Sequence, residues 1–163
     1  MKDNLILIGM PAAGKSTIGV ILAKMMGMDF VDSDLVIQHR AGKKLNEIIA
    51  SEGLEGFLRF EEEVCLSLEA ENAVIATGGS VVYGERAMEH FRRMGRILYL
   101  EVSFEELLRR LDDVEQRGVV LRPGQTIRGL YEERVPLYER YADLTIPEDG
   151  LGIEQIVRRI IGL

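Results

Sequence analysis

Nine residues near the start of the chain, Gly9-Met10-Pro11-Ala12-Ala13-Gly14-Lys15-Ser16-Thr17, constrain the fold more than any other stretch. The apolar run Asn4–Ile8 before them reads as a short buried strand, and Ile18–Met25 after them reads as a helix. Strand, glycine-rich turn and helix with the spacing G-x-x-x-x-G-K-S form a phosphate-binding loop. The glycines let the backbone wrap closely around phosphate oxygens, so that successive N–H groups point at the anion. The helix adds its positive N-terminal end. On this reading Pro11, Ala12, Ala13, Gly14, Lys15, Ser16 and Thr17 hold a nucleotide. Lys15 reaches the β- and γ-phosphates, and the Ser16 hydroxyl ligates Mg²⁺.

Beyond the loop, apolar strands alternate with amphipathic helices. Strands are predicted at 29–34, 72–77, 96–102 and 144–146, and helices at 35–40, 45–50, 54–70, 85–94, 103–111, 126–142 and 153–161. Ser103 with Glu106 three residues on reads as a capping box. Residues 112–125 carry Arg117, Gly118, Arg122, Pro123 and Gly124 without periodicity and read as a mobile loop. This alternation implies one α/β domain over 1–163, with a parallel sheet covered on both faces.

Several groups are then candidates for chemistry. Asp32 and Asp34 close the predicted second strand, where period two puts both side chains on one face. Ligands of open α/β sheets bind outside the carboxyl ends of the strands, so one carboxylate is expected to hold Mg²⁺ and the other to accept a proton. A plain aspartate-rich turn is the competing account. Thr77-Gly78-Gly79-Ser80 brings bare backbone to another strand end, or is simply a tight turn. Arg134 is a candidate clamp for a substrate anion, or a solvated helical charge. Arg117 and Arg122 are candidates to close over phosphates. His39 and His90 have no neighbours at metal-ligand spacing, and Met10, Met25, Met26 and Met28 read as core filler.

A net charge of −7 argues against nucleic acid as a partner, so an anionic ligand has to be held by local groups. The single cysteine, Cys65, has no internal disulfide partner and reads as a small buried hydrophobe. No apolar run approaches the ~20 residues of a membrane span. A soluble cytoplasmic protein is expected, with a monomer favoured.

Taken in order, these residues resemble the shikimate kinase family, small P-loop kinases of the nucleoside-monophosphate-kinase type. The resemblance rests on Gly9 to Thr17, Asp32-Ser33-Asp34, Phe57 and Glu61, Thr77-Gly78-Gly79, Tyr99-Leu100-Glu101, Arg109-Arg110, Arg122-Pro123 and Arg134-Val135-Pro136-Leu137-Tyr138. It implies a three-layer α/β/α fold with a five-stranded parallel sheet in order 2-3-1-4-5, an acceptor-binding region at 33–62 and a lid at 112–125. It further implies phosphoryl transfer from ATP to a hydroxyl of shikimate. Ser16 and Asp32 would serve Mg²⁺, and Asp34 would contact the reacting hydroxyl. Arg110 would flank the adenine, Arg122 would meet the phosphates, and Gly78, Gly79, Ser80 and Arg134 would line the acceptor site.

The chain departs from the family pattern in three places. Leu58 stands where Phe-Arg-x-x-Glu has its substrate arginine, and the neighbouring Arg59 is rotated about 100° around the helix. Ser80 replaces a third glycine, and Arg122-Pro123 leads into Gly124-Gln125 rather than two apolar residues. Losing a bidentate arginine costs a carboxylate about 1.5–3 kcal/mol, roughly ten- to a hundredfold in affinity. Leu58 and Arg59 therefore become candidate acceptor residues in their own right. Three functions stay open: a shikimate kinase, a paralogous kinase with an acceptor that lacks a carboxylate, and a nucleotide-binding regulatory module.

Overall fold

The computed structural model describes residues 3–112, 119 and 121–163. Five parallel strands form one sheet in the order β2-β3-β1-β4-β5. They are β1 (Asn4–Ile8), β2 (Asp29–Asp32), β3 (Ala73–Ala76), β4 (Gly95–Glu101) and β5 (Leu144–Pro147). Leu5 of β1 sits opposite Val74 on one side and Arg96 on the other. Central parallel strands are covered on both faces, which is why Ile6, Leu7, Ile8, Val74, Ile75 and Leu98 are almost wholly buried.

Helix α1 (Lys15–Met26) packs on β2, β3 and α7 (Ile153–Ile161). Helices α2 (Ser33–Ala41) and α3 (Leu45–Leu66) pack on each other. They enclose a second apolar cluster of Ile37, Ile48, Phe57 and Val64, separate from the sheet core. Helix α4 (Glu85–Met94) packs on α3 and β4, and α6 (Ile127–Tyr141) lies against β4 and the 3₁₀ turn Val81–Tyr83. Helix α5 (Phe104–Asp112) completes the helices of the described residues.

The structure revises several local expectations. Strand β2 ends at Asp32, and α2 starts at once with Ser33, so Asp34 lies in a first helical turn and not on a strand face. Asp32 is its N-cap, accepting from the backbone N–H of Asp34 (3.0 Å) and Leu35 (3.4 Å). An aspartate cap satisfies two orphan donors, which outweighs one more strand residue. The two helices expected at 45–50 and 54–70 are both present within the α3 span, divided at Gly53, whose backbone (φ 73°, ψ 172°) is not helical; only the end differs, at Leu66 rather than 70. Ser103 does cap α5 through Glu106 N–H (3.2 Å), but its own N–H donates to Asp149 (3.0 Å), so the second leg of the box is not made. Met25 and Met26 are exposed rather than core filler. Part of the segment expected as a lid, including Arg117, lies outside the described residues. Among the described residues no helix is long and apolar enough to cross a membrane.

Candidate functional site

The carboxyl ends of β1, β2 and β3 open on the same side of the sheet, and each delivers one part of a cleft. From β1 comes the loop ending at Gly14, whose φ of 80° suits glycine and starts α1. Ala12 adopts φ 68°, a left-handed conformation that costs an alanine about 1–2 kcal/mol. Lys15 folds back over the loop and donates to the carbonyls of Gly9 and Met10, both at 2.8 Å. It is buried, and that burial holds its ammonium down to about 8. Among the described residues no carboxylate lies within ion-pair distance of it. Arg110 donates to the Ala12 carbonyl (3.2 Å) and to the buried Glu148 (2.8 Å), tying the loop to the end of β5.

From β2 come the two aspartates. The Ser16 hydroxyl donates to Asp32 Oδ2 at 2.6 Å, so a hydroxyl and a carboxylate meet beside the loop. These are hard oxygen donors suited to Mg²⁺. No group of three or more His, Cys, Asp or Glu among the described residues is placed to hold a metal. Two protein oxygens plus phosphate oxygens are what a nucleotide-bound Mg²⁺ uses. Asp34 lines both the groove beside the phosphate loop and the pocket next to it. Burial, then the Asp32 charge, raises its carboxyl above the usual range.

From β3 comes Thr77-Gly78-Gly79-Ser80, and here the absence of side chains is a packing requirement. A Cβ on Gly78 would lie 2.7 Å from Asp34 Oδ1 and 2.9 Å from Glu61 Oε1. One on Gly79 would lie 2.7 Å from Pro11 Cδ and 3.0 Å from Arg134 Nη1. Tyr138 fixes this loop by donating to the Gly79 carbonyl at 2.6 Å, and its ring stacks on Tyr99 at 5.1 Å. Ser80 has an ordinary backbone (φ −89°), and its hydroxyl turns to Glu61, donating to Oε2 at 2.7 Å.

Arg134 reaches the cleft from α6 and is only 5 % exposed. Its Nε donates to the Tyr83 hydroxyl (3.3 Å), and its guanidinium lies 5.3 Å from that ring's centroid. No carboxylate among the described residues pairs with it, so it is a buried cation with the capacity to pair with an anion. Asp34, Leu45, Phe57, Gly79, Ser80 and Arg134 line one pocket.

Leu58 and Arg59 do not join that pocket. Leu58 is half-buried against the α2–α3 cluster, and Arg59 is exposed on the outer face of α3, as the rotation between successive helical residues dictates. Arg122 donates to Glu133 at 3.0 Å and lies over the Tyr83 ring, 5.7 Å from its centroid. Glu61, Tyr83, Tyr138 and Glu148 hold Ser80, Arg134, Gly79 and Arg110 in place by hydrogen bonds but were not singled out as site residues from the sequence. Of these, Glu61 carried a signal: a charged residue four positions from Phe57, on the face α3 buries.

The family model for shikimate kinase matches residues 11–163. A shikimate kinase of Pasteurella multocida is 37 % identical over 166 residues, covering 99 % of this chain and 95 % of that protein. Among solved structures, the shikimate kinase of Acinetobacter baumannii in complex with shikimate superposes with a TM-score of 0.85. It has 31 % identity and covers 99 % of this chain and 92 % of the other. The shikimate kinase of Aquifex aeolicus gives a TM-score of 0.83 with 33 % identity, over 97 % and 94 %.

Proposed function

The chain belongs to the shikimate kinase family, and on that premise we propose that it transfers the γ-phosphoryl group of ATP to a hydroxyl of shikimate. One observation carries the reading: Asp34 faces a phosphate loop on one side and the pocket of the carboxylate-free Arg134 on the other. A base between a triphosphate cradle and an anion clamp is the arrangement that in-line transfer to an alcohol needs.

In this mechanism the loop N–H groups and Lys15 hold the triphosphate, with Lys15 exchanging the Gly9 and Met10 carbonyls for phosphate oxygens. Mg²⁺, held by Ser16 with Asp32 beside it, would neutralise charge on the phosphates. Arg134 takes the shikimate carboxylate and so sets the position of the ring. The acceptor hydroxyl oxygen attacks the γ-phosphorus while the bond to the bridging oxygen of ADP breaks. The hydroxyl proton passes to Asp34, whose raised carboxyl lies closer to working pH than an exposed aspartate's. Arg110 stays on the nucleotide side, and residues 33–62 form the acceptor wall.

Leu58 motivates a second reading, an acceptor without a carboxylate. Magnesium-dependent ADP release, measured with shikimate and with a panel of polyols, sugar acids and amino alcohols, separates the two. The expected result is saturable turnover of shikimate. Asp34→Asn should lower kcat by about 10²–10⁴-fold and leave the KM for ATP within a few-fold. Absence of turnover with shikimate, alongside turnover of a neutral polyol, would sink the first reading.

A further inference from the structure

Glu61 is a carboxylate in the wrong surroundings for a charge. It is 2 % exposed, and its Oε1 has no hydrogen-bond partner among the described residues. Among the described residues no cation lies within ion-pair distance of it. The groups facing it are Asp34 from α2, Lys15 from the phosphate loop, Arg134 and Tyr138 from α6, the Ser80 hydroxyl, and Cys65 on its own helix. An arginine three residues earlier on a helix could pair with it, but that position is Leu58. The unpartnered oxygen and Asp34 Oδ1 crowd the same side of Gly78: a Cβ there would lie 2.9 Å from the first and 2.7 Å from the second. The next residue, Gly79, carries Arg134 Nη1 against it.

Resting on the acceptor site proposed above, we propose that Glu61 is a specificity-determining residue that admits an anionic acceptor to Arg134 when it carries its proton and opposes that acceptor when it does not. An ionised Glu61 would stand as a second buried negative charge beside Asp34 and behind the loop on which the acceptor's carboxylate is to sit. In a poorly solvated pocket such repulsion is strong. Burial raises the Glu61 carboxyl to about 7, while the Ser80 hydroxyl pulls it down by stabilising the ionised form. Acceptor carboxylates stay ionised across this range, so their binding favours proton uptake by Glu61. Leu58 and Ser80, two departures from the family pattern, thus act together: one leaves the carboxyl unpaired and the other tunes it.

The test is the KM for shikimate as a function of pH, read by ADP release, for the wild type, Glu61→Gln, Ser80→Ala and Leu58→Arg. The wild-type KM should rise above about pH 7, towards a limit of about tenfold per pH unit for a one-proton gate. Glu61→Gln keeps a Ser80 partner without a titrating charge and should flatten the profile at a low KM. Ser80→Ala should move the rise to higher pH. Leu58→Arg should pair Glu61 and flatten the profile too. The KM for ATP should show none of these changes, which separates Glu61 from the titration of Lys15, and the flattening in Glu61→Gln separates it from that of Asp34. A flat wild-type profile, or a rise that Glu61→Gln retains, overturns the proposal. Carbon-13 NMR titration of Glu61 in the acceptor-free protein is run in parallel. If shikimate is not turned over at any pH, the acceptor reading fails, and the NMR arm still decides Glu61. A titration near 7 that moves up in Ser80→Ala upholds the proton-controlled carboxyl, and one below about 5 overturns it.

Discussion

Lys15 is a charge that the fold holds at a cost until a ligand arrives. Burial lowers its folded-state pKa from 10.5 to about 8. The free energy of keeping it protonated is therefore fully spent below pH 8 and is recovered only as the pH rises through 8 towards 10.5. About 3 kcal/mol is at stake. Against this stand two hydrogen bonds to the Gly9 and Met10 carbonyls, worth about 0.5–1.5 kcal/mol each. Replacing Lys15 with methionine should thus leave thermal stability at pH 7 equal to the wild type or above it. The same change should abolish the stabilisation that ATP and Mg²⁺ give the wild type, about 2.7 kcal/mol at a hundred times Kd. Differential scanning fluorimetry with and without ATP checks both halves. A marked loss of apo stability would mean that the lysine is chiefly structural.

At the level of elements, the phosphate loop was legible because its chemistry is local: glycine spacing, lysine and hydroxyl all fall within one turn. The parallel sheet followed from the alternation of apolar strands and amphipathic helices. Boundaries failed where one residue served two elements. Asp34 looked like the last strand residue but lies in the first turn of α2, because Asp32 both closes the strand and caps the helix. The division between the two helices expected from 45 to 70 does hold, with a kink at Gly53. That kink aims the second half of the helix, with Leu54 and Phe57, at the acceptor pocket. Its φ of 73° with ψ of 172° lies in a region that is essentially glycine-only and costs other residues about 1–3 kcal/mol. The space around Gly53 is open, so Gly53→Ala should act through the backbone alone. We expect a fall in Tm of a few degrees and a higher KM for the acceptor, with ATP-induced stabilisation intact. An unchanged acceptor KM would show that the angle of α3 does not shape the pocket.

Across the whole molecule, Lys15, Asp34 and Arg134 were legible as candidate site residues because each stands out within its own segment. Tyr83, Tyr138 and Glu133 were not, because their roles exist only between segments 50 or more residues apart. Arg134 Nε donates to the Tyr83 hydroxyl, which donates to Glu133 Oε1 at 2.7 Å. Arg122 donates to the same oxygen at 3.0 Å. The arginine expected on the phosphates is therefore paired with the carboxylate that also accepts from Tyr83, the hydroxyl partner of the proposed acceptor arginine. For Arg122 to reach a nucleotide it has to leave Glu133. Both side chains are partly exposed, at 43 % and 35 %, and such a pair is worth about 0.2–1 kcal/mol, up to about fivefold in affinity. Glu133→Ala should accordingly lower the KM for ATP by no more than about fivefold at low ionic strength, and the gain should shrink in roughly 1 M salt, where the Debye length falls to about 3 Å. Tyr83→Phe leaves the Arg122–Glu133 contact in place but removes the Arg134 partner, so it should raise the acceptor KM by roughly two- to tenfold and leave the ATP KM alone. A Glu133→Ala enzyme with a raised KM for ATP would mean that Glu133 presents Arg122 to the nucleotide rather than restraining it.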